Sequence, residues 1–377
     1  MKQILVVNTG STSTKIALFH DEQEVDRVEI PVPEDLVKNS LTAVEQLDYR
    51  VEVARQALDR KGIDLSKIDM VAARGGMLPP IQGGAYVIND YMIDVVTYAP
   101  ATQHESSLAC MVARRLADPY GLPAIIYDGV TLDEMDEIAK MTGIPSIRNP
   151  SSGHPLNARK VARETAKKLG IRYEDGNFIV VHFGGSISCC AHKHGRIVDS
   201  MNPYTGAMSP QRAGRLPTDQ LVKLCFSGKY TQKELMKLLN GKSGFMAYCG
   251  TQNGREVFAM AERGDEVARK AIAAIELQVS KCIADMFVSI NEPVNAICFS
   301  GGMARNEDFL SRIYSRVSFI APMQAFPGEF EMAALAEGAL RVLNGEIPAK
   351  EFDVPPAGYA SKEEFYQTIN KNNQETN

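Results

Sequence analysis

Ile4-Leu5-Val6-Val7-Asn8-Thr9-Gly10-Ser11-Thr12-Ser13-Thr14-Lys15-Ile16-Ala17-Leu18-Phe19 is the stretch on which the fold turns. Its leading apolar residues, mostly branched, predict a buried strand, and Ile16 to Phe19 predict a second. Between them lies a turn of Asn, Thr, Gly and Ser, with Lys15 at its far end. Such a turn presents backbone N–H groups, hydroxyls and one cation, which suits a phosphate. An ordinary polar hairpin would read the same way. The pattern returns, however, as Phe178-Ile179-Val180-Val181-His182-Phe183-Gly184-Gly185-Ser186-Ile187-Ser188. Asn8 aligns with His182 and Gly10 with Gly184, since 182 − 8 and 184 − 10 both give 174. An offset near half the chain is too long for a solenoid period and predicts a duplicated domain. Two such hairpins could hold a chain of phosphates from both sides.

A chain of 377 residues is too long for one compact core and predicts two domains. Its 45% apolar and 23% charged residues are ordinary for a globular protein. The net charge of −5 gives no field for a nucleic acid or a membrane surface, so neither is an expected partner. No apolar run reaches the roughly 18 residues of a membrane span. The N-terminus runs from a single Lys straight into a strand, without the apolar stretch of a secretory leader, so a cytoplasmic protein is expected. The seven Cys include no CxxC pair, and Cys189-Cys190 within an apolar run read as buried free thiols. The six His are too scattered to form a metal site by spacing.

Further along, Met70-Val71-Ala72-Ala73 predicts a short buried strand that runs into Arg74-Gly75-Gly76. An arginine there can grip two oxygens of an anion, and the glycines would let it approach the backbone. A surface arginine beside a turn is the plainer alternative. Ala124-Ile125-Ile126-Tyr127 predicts a strand with Asp128 at its C-terminal tip, where ligands and metals sit in open α/β folds; Asp also simply forms turns there. Asn149-Pro150-Ser151-Ser152-Gly153-His154-Pro155 reads as the domain boundary, and His154 there is either functional or a capping residue. Met208-Ser209-Pro210-Gln211-Arg212-Ala213-Gly214-Arg215 is a basic loop that offers Arg212 and Arg215 to the same anion. Val294-Asn295-Ala296-Ile297-Cys298-Phe299-Ser300-Gly301-Gly302-Met303-Ala304-Arg305-Asn306 is a third strand-to-Gly turn, leading into a helix whose start could take adenosine and its phosphates. Helices are expected from Leu41 to Lys61, from Ser106 to Leu116, from Asn157 to Leu169, between Thr231 and Ile290, and up to Leu343 after Glu331. The segment after Pro355 reads as a polar tail.

From the opening block to Pro327-Gly328-Glu329-Phe330-Glu331, nearly the whole chain resembles the butyrate kinases of the acetate kinase family, within the acetate and sugar kinase/Hsp70/actin superfamily. Val181-His182-Phe183-Gly184-Gly185 and Ser209-Pro210-Gln211-Arg212 are the most specific inner blocks. The resemblance implies an α/β chain with a duplicated actin-like ATPase (ribonuclease H-like) fold, two domains each with a mixed five-stranded sheet flanked by helices. Residues 1–153 would form the first domain, with a C-terminal helix from about 333–377 packing back on it. Residues 154–332 would form the second and carry the nucleotide site. The implied reaction is butanoate + ATP = butanoyl phosphate + ADP, with ATP/ADP and Mg²⁺ as cofactors and a homodimer or higher homo-oligomer as the assembly.

By matching motif, Arg74, Asp128, His154 and Arg212 would be catalytic, and Asn8, Asp128 and Glu331 would hold the metal. Asn8, Thr9, Gly10, Ser11, Thr12, Lys15, His182, Gly184, Gly185, Ser186, Gly301, Gly302, Met303 and Asn306 would line the nucleotide. Of the cations, Arg74 and Arg212 suit the clamp better than Lys15, which begins the returning strand. Three departures stand out. Ser186 replaces a third glycine usual in butyrate kinases, Arg74 lies closer to its glycine pair than the acetate kinase arginine does, and Ala158 replaces a second acetate kinase histidine. Kinases of isobutyrate, propionate or acetate, and a non-metabolic actin- or Hsp70-like ATPase, are the competing readings.

Overall fold

In a computed structural model that describes residues 1–40, 42–99, 104–151 and 153–375, the opening stretch forms the expected hairpin. Leu41 and Ser152, which begin or interrupt segments discussed above, lie outside the described residues. Strands β1 (Gln3–Thr9) and β2 (Ser13–His20) pair antiparallel, and β3 (Gln23–Pro31) follows β2. Ile4, Leu5, Val6 and Val7 of β1 are fully buried. Strands β4 (Met70–Ala73) and β6 (Ala124–Tyr127) then add in parallel beside β1, and β5 (Ala85–Val87) adds antiparallel to β6. The helices Leu47–Arg60 and Leu108–Ala117 cover the face that carries Leu5, Val7, Val71, Ala73 and Ile126.

The second repeat is β7 (Asn177–Phe183), β8 (Ile187–Lys193), β9 (Arg196–Met201), β10 (Ala296–Gly301) and β11 (Met323–Pro327), in the order β11-β10-β7-β8-β9. The long helix Glu266–Ile290 packs Ile275, Val279, Ile283 and Met286 onto it. Pairing directions match those of β6-β4-β1-β2-β3 strand for strand. The likeness extends to irregularities: the register slips after Leu18 in β2 and after Ala191 in β8. The turns that follow place Asp21 and His194 at φ of +53° and +47°. One difference falls at the turns of interest. Thr9 pairs with Thr14 and Phe183 with Ile187, so the second turn is shorter by one residue.

The chain divides into two compact units, Met1–Asp133 with Phe330–Asn377, and Glu134–Glu329. The segment 149–155, read from sequence as the boundary, lies inside the second unit. Residues ahead of it are bound there by chemistry that Gly/Pro content does not report. Glu134, 7% exposed, forms a buried ion pair with Arg159, and the Asp136 N–H donates to the Val198 carbonyl at 2.9 Å.

The returning segment changes the first sheet. Strand β12 (Ala349–Lys350) pairs with β5, so that sheet has seven strands, order β12-β5-β6-β4-β1-β2-β3, where five were expected; the second has five. The helix Glu331–Leu343 packs on β1, β4 and β6, with Gly338 against the Tyr127 ring. Because strand side chains alternate, Tyr127 faces away from Ile126, so this helix covers the other face of the sheet. The span 333–377, expected as one C-terminal helix, holds two helices with β12 between them, and the second, Lys362–Glu375, lies in the polar segment after Pro355 with Phe365 fully buried against Tyr91 and Tyr359. A helix at Thr218–Cys225 was also unforeseen, and none of its residues is buried. Among the described residues no helix is long and apolar enough to cross a membrane.

Candidate active site

In the first unit the hairpin turn leaves Gly10, Ser11 and Thr12 exposed, while Thr9 is buried and its hydroxyl donates to the Glu105 carbonyl at 2.6 Å. Lys15 points to Glu29 across the sheet, 3.9 Å away. Asn8, at the end of β1, donates from Nδ2 to Glu331 Oε2 at 2.9 Å; Arg74 Nη1 approaches the same oxygen at 3.3 Å. Glu331 is the first residue of the helix Glu331–Leu343, so three distant stretches of chain supply this triad. Asp128 is 2% exposed, holds φ at +41°, and accepts the Gly84 N–H at 2.9 Å. The glycine after Gly75 has a packing reason rather than a ligand reason: a Cβ on Gly76 would stand 2.2 Å from Ser107 Cα.

Arg50 was not foreseen. It is fully buried beneath the hairpin, donating to Gln46 Oε1 at 2.8 Å, Thr14 Oγ1 at 3.0 Å and the Ser13 carbonyl at 3.4 Å. Burial pushes its guanidinium down from the usual value, partly offset by the nearby Glu105 carboxylate. Its signal was present, since it lies three residues after Leu47 and four before Ala54 on the apolar stripe of its helix.

In the second unit His182 occupies the place of Asn8 and Ser300 that of Arg74: the β4 and β10 registers superpose Arg74-Gly75-Gly76-Met77 on Ser300-Gly301-Gly302-Met303. Gly301, at φ +93°, must be glycine, because a Cβ would stand 2.2 Å from the Phe183 carbonyl oxygen. The His182 ring lies 4.8 Å from the His154 ring, centroid to centroid. His154 is held in the left-handed region at φ +55°, a strained position for a side chain with a Cβ. Its turn is clamped to β8, where Ser188 Oγ and Cys190 Sγ both donate to the Gly153 carbonyl, at 3.1 and 3.4 Å.

The Gly185 carbonyl accepts from Ser209 Oγ at 2.8 Å and from the Gln211 N–H at 3.3 Å, which ties the Arg212 loop to the glycine turn. Arg212 is half-buried in that loop, whereas Arg215 is turned away to Asp285, 3.0 Å distant, and does not join it. Ser186 Oγ is buried and has no hydrogen-bond partner among the described residues. A cleft of about 540 Å³ opens beside this turn, walled by Gly184, Gly185, Phe258, Met303, Asn306 and Glu329 among others. Asn306 also caps the helix Glu307–Val317, accepting the Phe309 N–H at 2.9 Å. Phe258 lies on the helix Gly254–Glu262, which no sequence motif marked. A concave, largely apolar space of this size beside bare backbone suits a nucleotide.

Residues 152–319 match the model of the acetokinase family. Butyrate kinase 2 of Clostridium acetobutylicum is 41% identical over 352 residues, covering 93% of this chain and 99% of that one. The chain belongs to the butyrate kinase family. Among solved structures, the acetate kinase of Porphyromonas gingivalis superposes with a TM-score of 0.75 at 18% identity, over 91% of this chain and 100% of that one. A ROK family protein from Streptococcus pneumoniae gives 0.51 at 14%, over 92% and 100%. These two likenesses concern the fold, the duplicated actin-like architecture described above. One repeat thus holds the polar triad of Asn8, Arg74 and Glu331, and the other the histidine pair and a cleft of about 540 Å³.

Proposed function

We infer that this protein transfers a phosphoryl group directly between ATP and butanoate. The observation that carries the reading is 41% identity to a butyrate kinase along almost its entire length. The cleft beside Gly184 and Gly185 supports it as the place of the nucleotide, with Met303 and Asn306 at the adenosine end. His182, Ser186 and the turn N–H groups would receive the phosphates; the buried Ser186 hydroxyl has a proton to offer.

An ionised carboxylate is already a nucleophile and needs no general base. One of its oxygens attacks the γ-phosphorus while the bond from that phosphorus to the ADP oxygen breaks. The barrier is electrostatic: two unit charges 4 Å apart repel by about 4 kcal/mol at an effective dielectric of about 20. Arg74 and Arg212 are the groups assigned to cancel that charge and hold the loose, planar phosphoryl in line, with His154 in contact with it. Mg²⁺ fits Glu331 and Asn8, because Asn8 donates through Nδ2 and leaves its Oδ1 available as a hard oxygen ligand. Among the described residues no group of three or more His, Cys, Asp or Glu could hold a metal alone, so phosphate oxygens and waters would have to complete the ligands of a magnesium ion there. Asp128, buried with one oxygen on Gly84, would act from behind. When bound, the ion would neutralise charge on the phosphates.

The test is an assay with ATP, Mg²⁺, hydroxylamine and a panel of short fatty acids. Acyl hydroxamate should form, fastest with butanoate. A different preferred acid would reassign the substrate, and ATP hydrolysis without hydroxamate would sink the kinase reading.

A further inference from the structure

We propose that Asn157 and Ser300 are positioning residues that hold His182 as a neutral ring with its proton on Nε2. The three side chains are 1%, 0% and 5% exposed, so their hydrogen bonds are made away from bulk solvent and protein groups carry much of the pairing. Strand β7 sets His182 beside Ser300 of β10, and the first turn of the helix Pro155–Leu169 brings Asn157 over both. Asn157 Nδ2 lies 3.1 Å from His182 Nδ1 and 3.1 Å from Ser300 Oγ. An amide nitrogen has two protons to give and no lone pair to accept with, so it donates one to each. Ser300 Oγ, having accepted, is left to donate to Nδ1 at 3.1 Å or to the Val181 carbonyl at 3.4 Å. Asn157 Nδ2 has no lone pair with which to take a proton from Nδ1, so Nδ1 carries the lone pair and the proton sits on Nε2.

The neighbouring ring, tilted by 42°, receives the opposite assignment. Ser188 Oγ gives its single proton to the Gly153 carbonyl at 3.1 Å, so it accepts from His154 Nδ1 at 3.2 Å. Uncharged hydroxyls and one amide thus give two touching imidazoles different protonation sites. Nε2 of His182 faces the glycine turn: a methyl on Gly184 would come within 3.3 Å of it. The Nε2–H is consequently a fixed donor for a phosphate oxygen, a use that rests on the nucleotide reading given above. The first repeat repeats the logic, since Asn8 at the matching position is likewise engaged by the start of a helix, through Glu331.

The experiment is a two-bond proton–nitrogen spectrum of the full chain labelled with [15N]histidine, the His182 signals being assigned by their loss in His182→Gln. The expected ring is neutral and protonated on Nε2; a proton on Nδ1, or on both nitrogens, overturns the proposal. Asn157→Asp presents only acceptors to Nδ1 and should draw the proton there, raising the KM for ATP by about tenfold or more while the KM for butanoate changes little. Retention of the Nε2–H form in that variant would also overturn it. Should Asn157→Asp fail to fold, the wild-type spectrum decides alone. Saturating ADP should shift the Nε2 resonance. An Nε2–H ring that ADP leaves unmoved supports the tautomer and removes the nucleotide from this turn, so the two ideas fail separately.

Discussion

At the scale of single residues, the two repeats use one backbone design for different chemistry. The positions that carry Asn8, Arg74 and Glu331 in one carry His182, Ser300 and the helix-borne Asn157 in the other. A cation and a carboxylate are confined to the first set. If Arg74 and Arg212 act on the transferring phosphoryl group, replacing either by Ala should lower kcat far more than it raises the KM for ATP. Weakened ATP binding with normal kcat would remove the clamp role. Arg50 is a separate matter, because it supports the hairpin from beneath with its charge buried. Arg50→Leu should cost ~3 kcal/mol in chemical denaturation, the scale of lost charged hydrogen bonds and abandoned partners. Asn8, Arg74 and His182 could be singled out from sequence because each ends a strand at a small-residue turn. Asn157 and Ser300 could not, since their importance lies in which nitrogen they face.

At the scale of elements, close approach sets the residue types. Gly338 sits inside the helix Glu331–Leu343, where alanine would ordinarily gain about 1 kcal/mol. Here a Cβ would meet the Tyr127 ring at 2.2 Å, with a ring in a packed sheet unable to retreat. Gly338→Ala should therefore destabilise, by about 1–3 kcal/mol, and thermal melting gives the sign directly. Strand β8 supplies a second case. His192 is fully buried, Nδ1 on the Tyr173 hydroxyl at 2.8 Å, and burial, helped by Arg159 and Arg163, pushes its pKa from 6.5 down to about 3. Below about 6.5 the unfolded chain takes up a proton that the folded ring refuses, so stability falls with pH until about 3. That loss should reach ~1.4 kcal/mol per pH unit, and His192→Phe should flatten this part of the urea-denaturation profile. Strands with strong apolar runs, β1, β4, β6, β7 and β10, were legible almost to their ends. Strand β12 and the helix Thr218–Cys225 were not: one is two residues long, and the other, although Leu221, Leu224 and Cys225 recur at helical spacing, is a short stretch that buries nothing.

For the whole molecule, the duplication was visible as a constant offset, and the strand order, register slips and turn strain now bear it out. The unit boundary was less visible. Turn-rich composition marks where a chain bends, whereas membership of a core depends on partners such as Arg159 for Glu134, far along the sequence. Composition likewise did not show how firmly the final helix is anchored, since its polar residues outnumber its anchors. Phe365 is one such anchor, and Phe365→Ala should cost about 3–5 kcal/mol, measurable by denaturant titration.

The first unit is assembled from both ends of the chain, with the whole of Glu134–Glu329 threaded between. During synthesis the opening strands therefore leave the ribosome first but wait longest. One face of their sheet has no cover, and Asn8 and Arg74 no carboxylate, until Glu331 and the helix behind it have been made. The second unit, continuous in sequence, can close in the meantime. The half that begins the chain is thus the last to finish, and its nascent form is the one exposed to holdase chaperones and to premature termination.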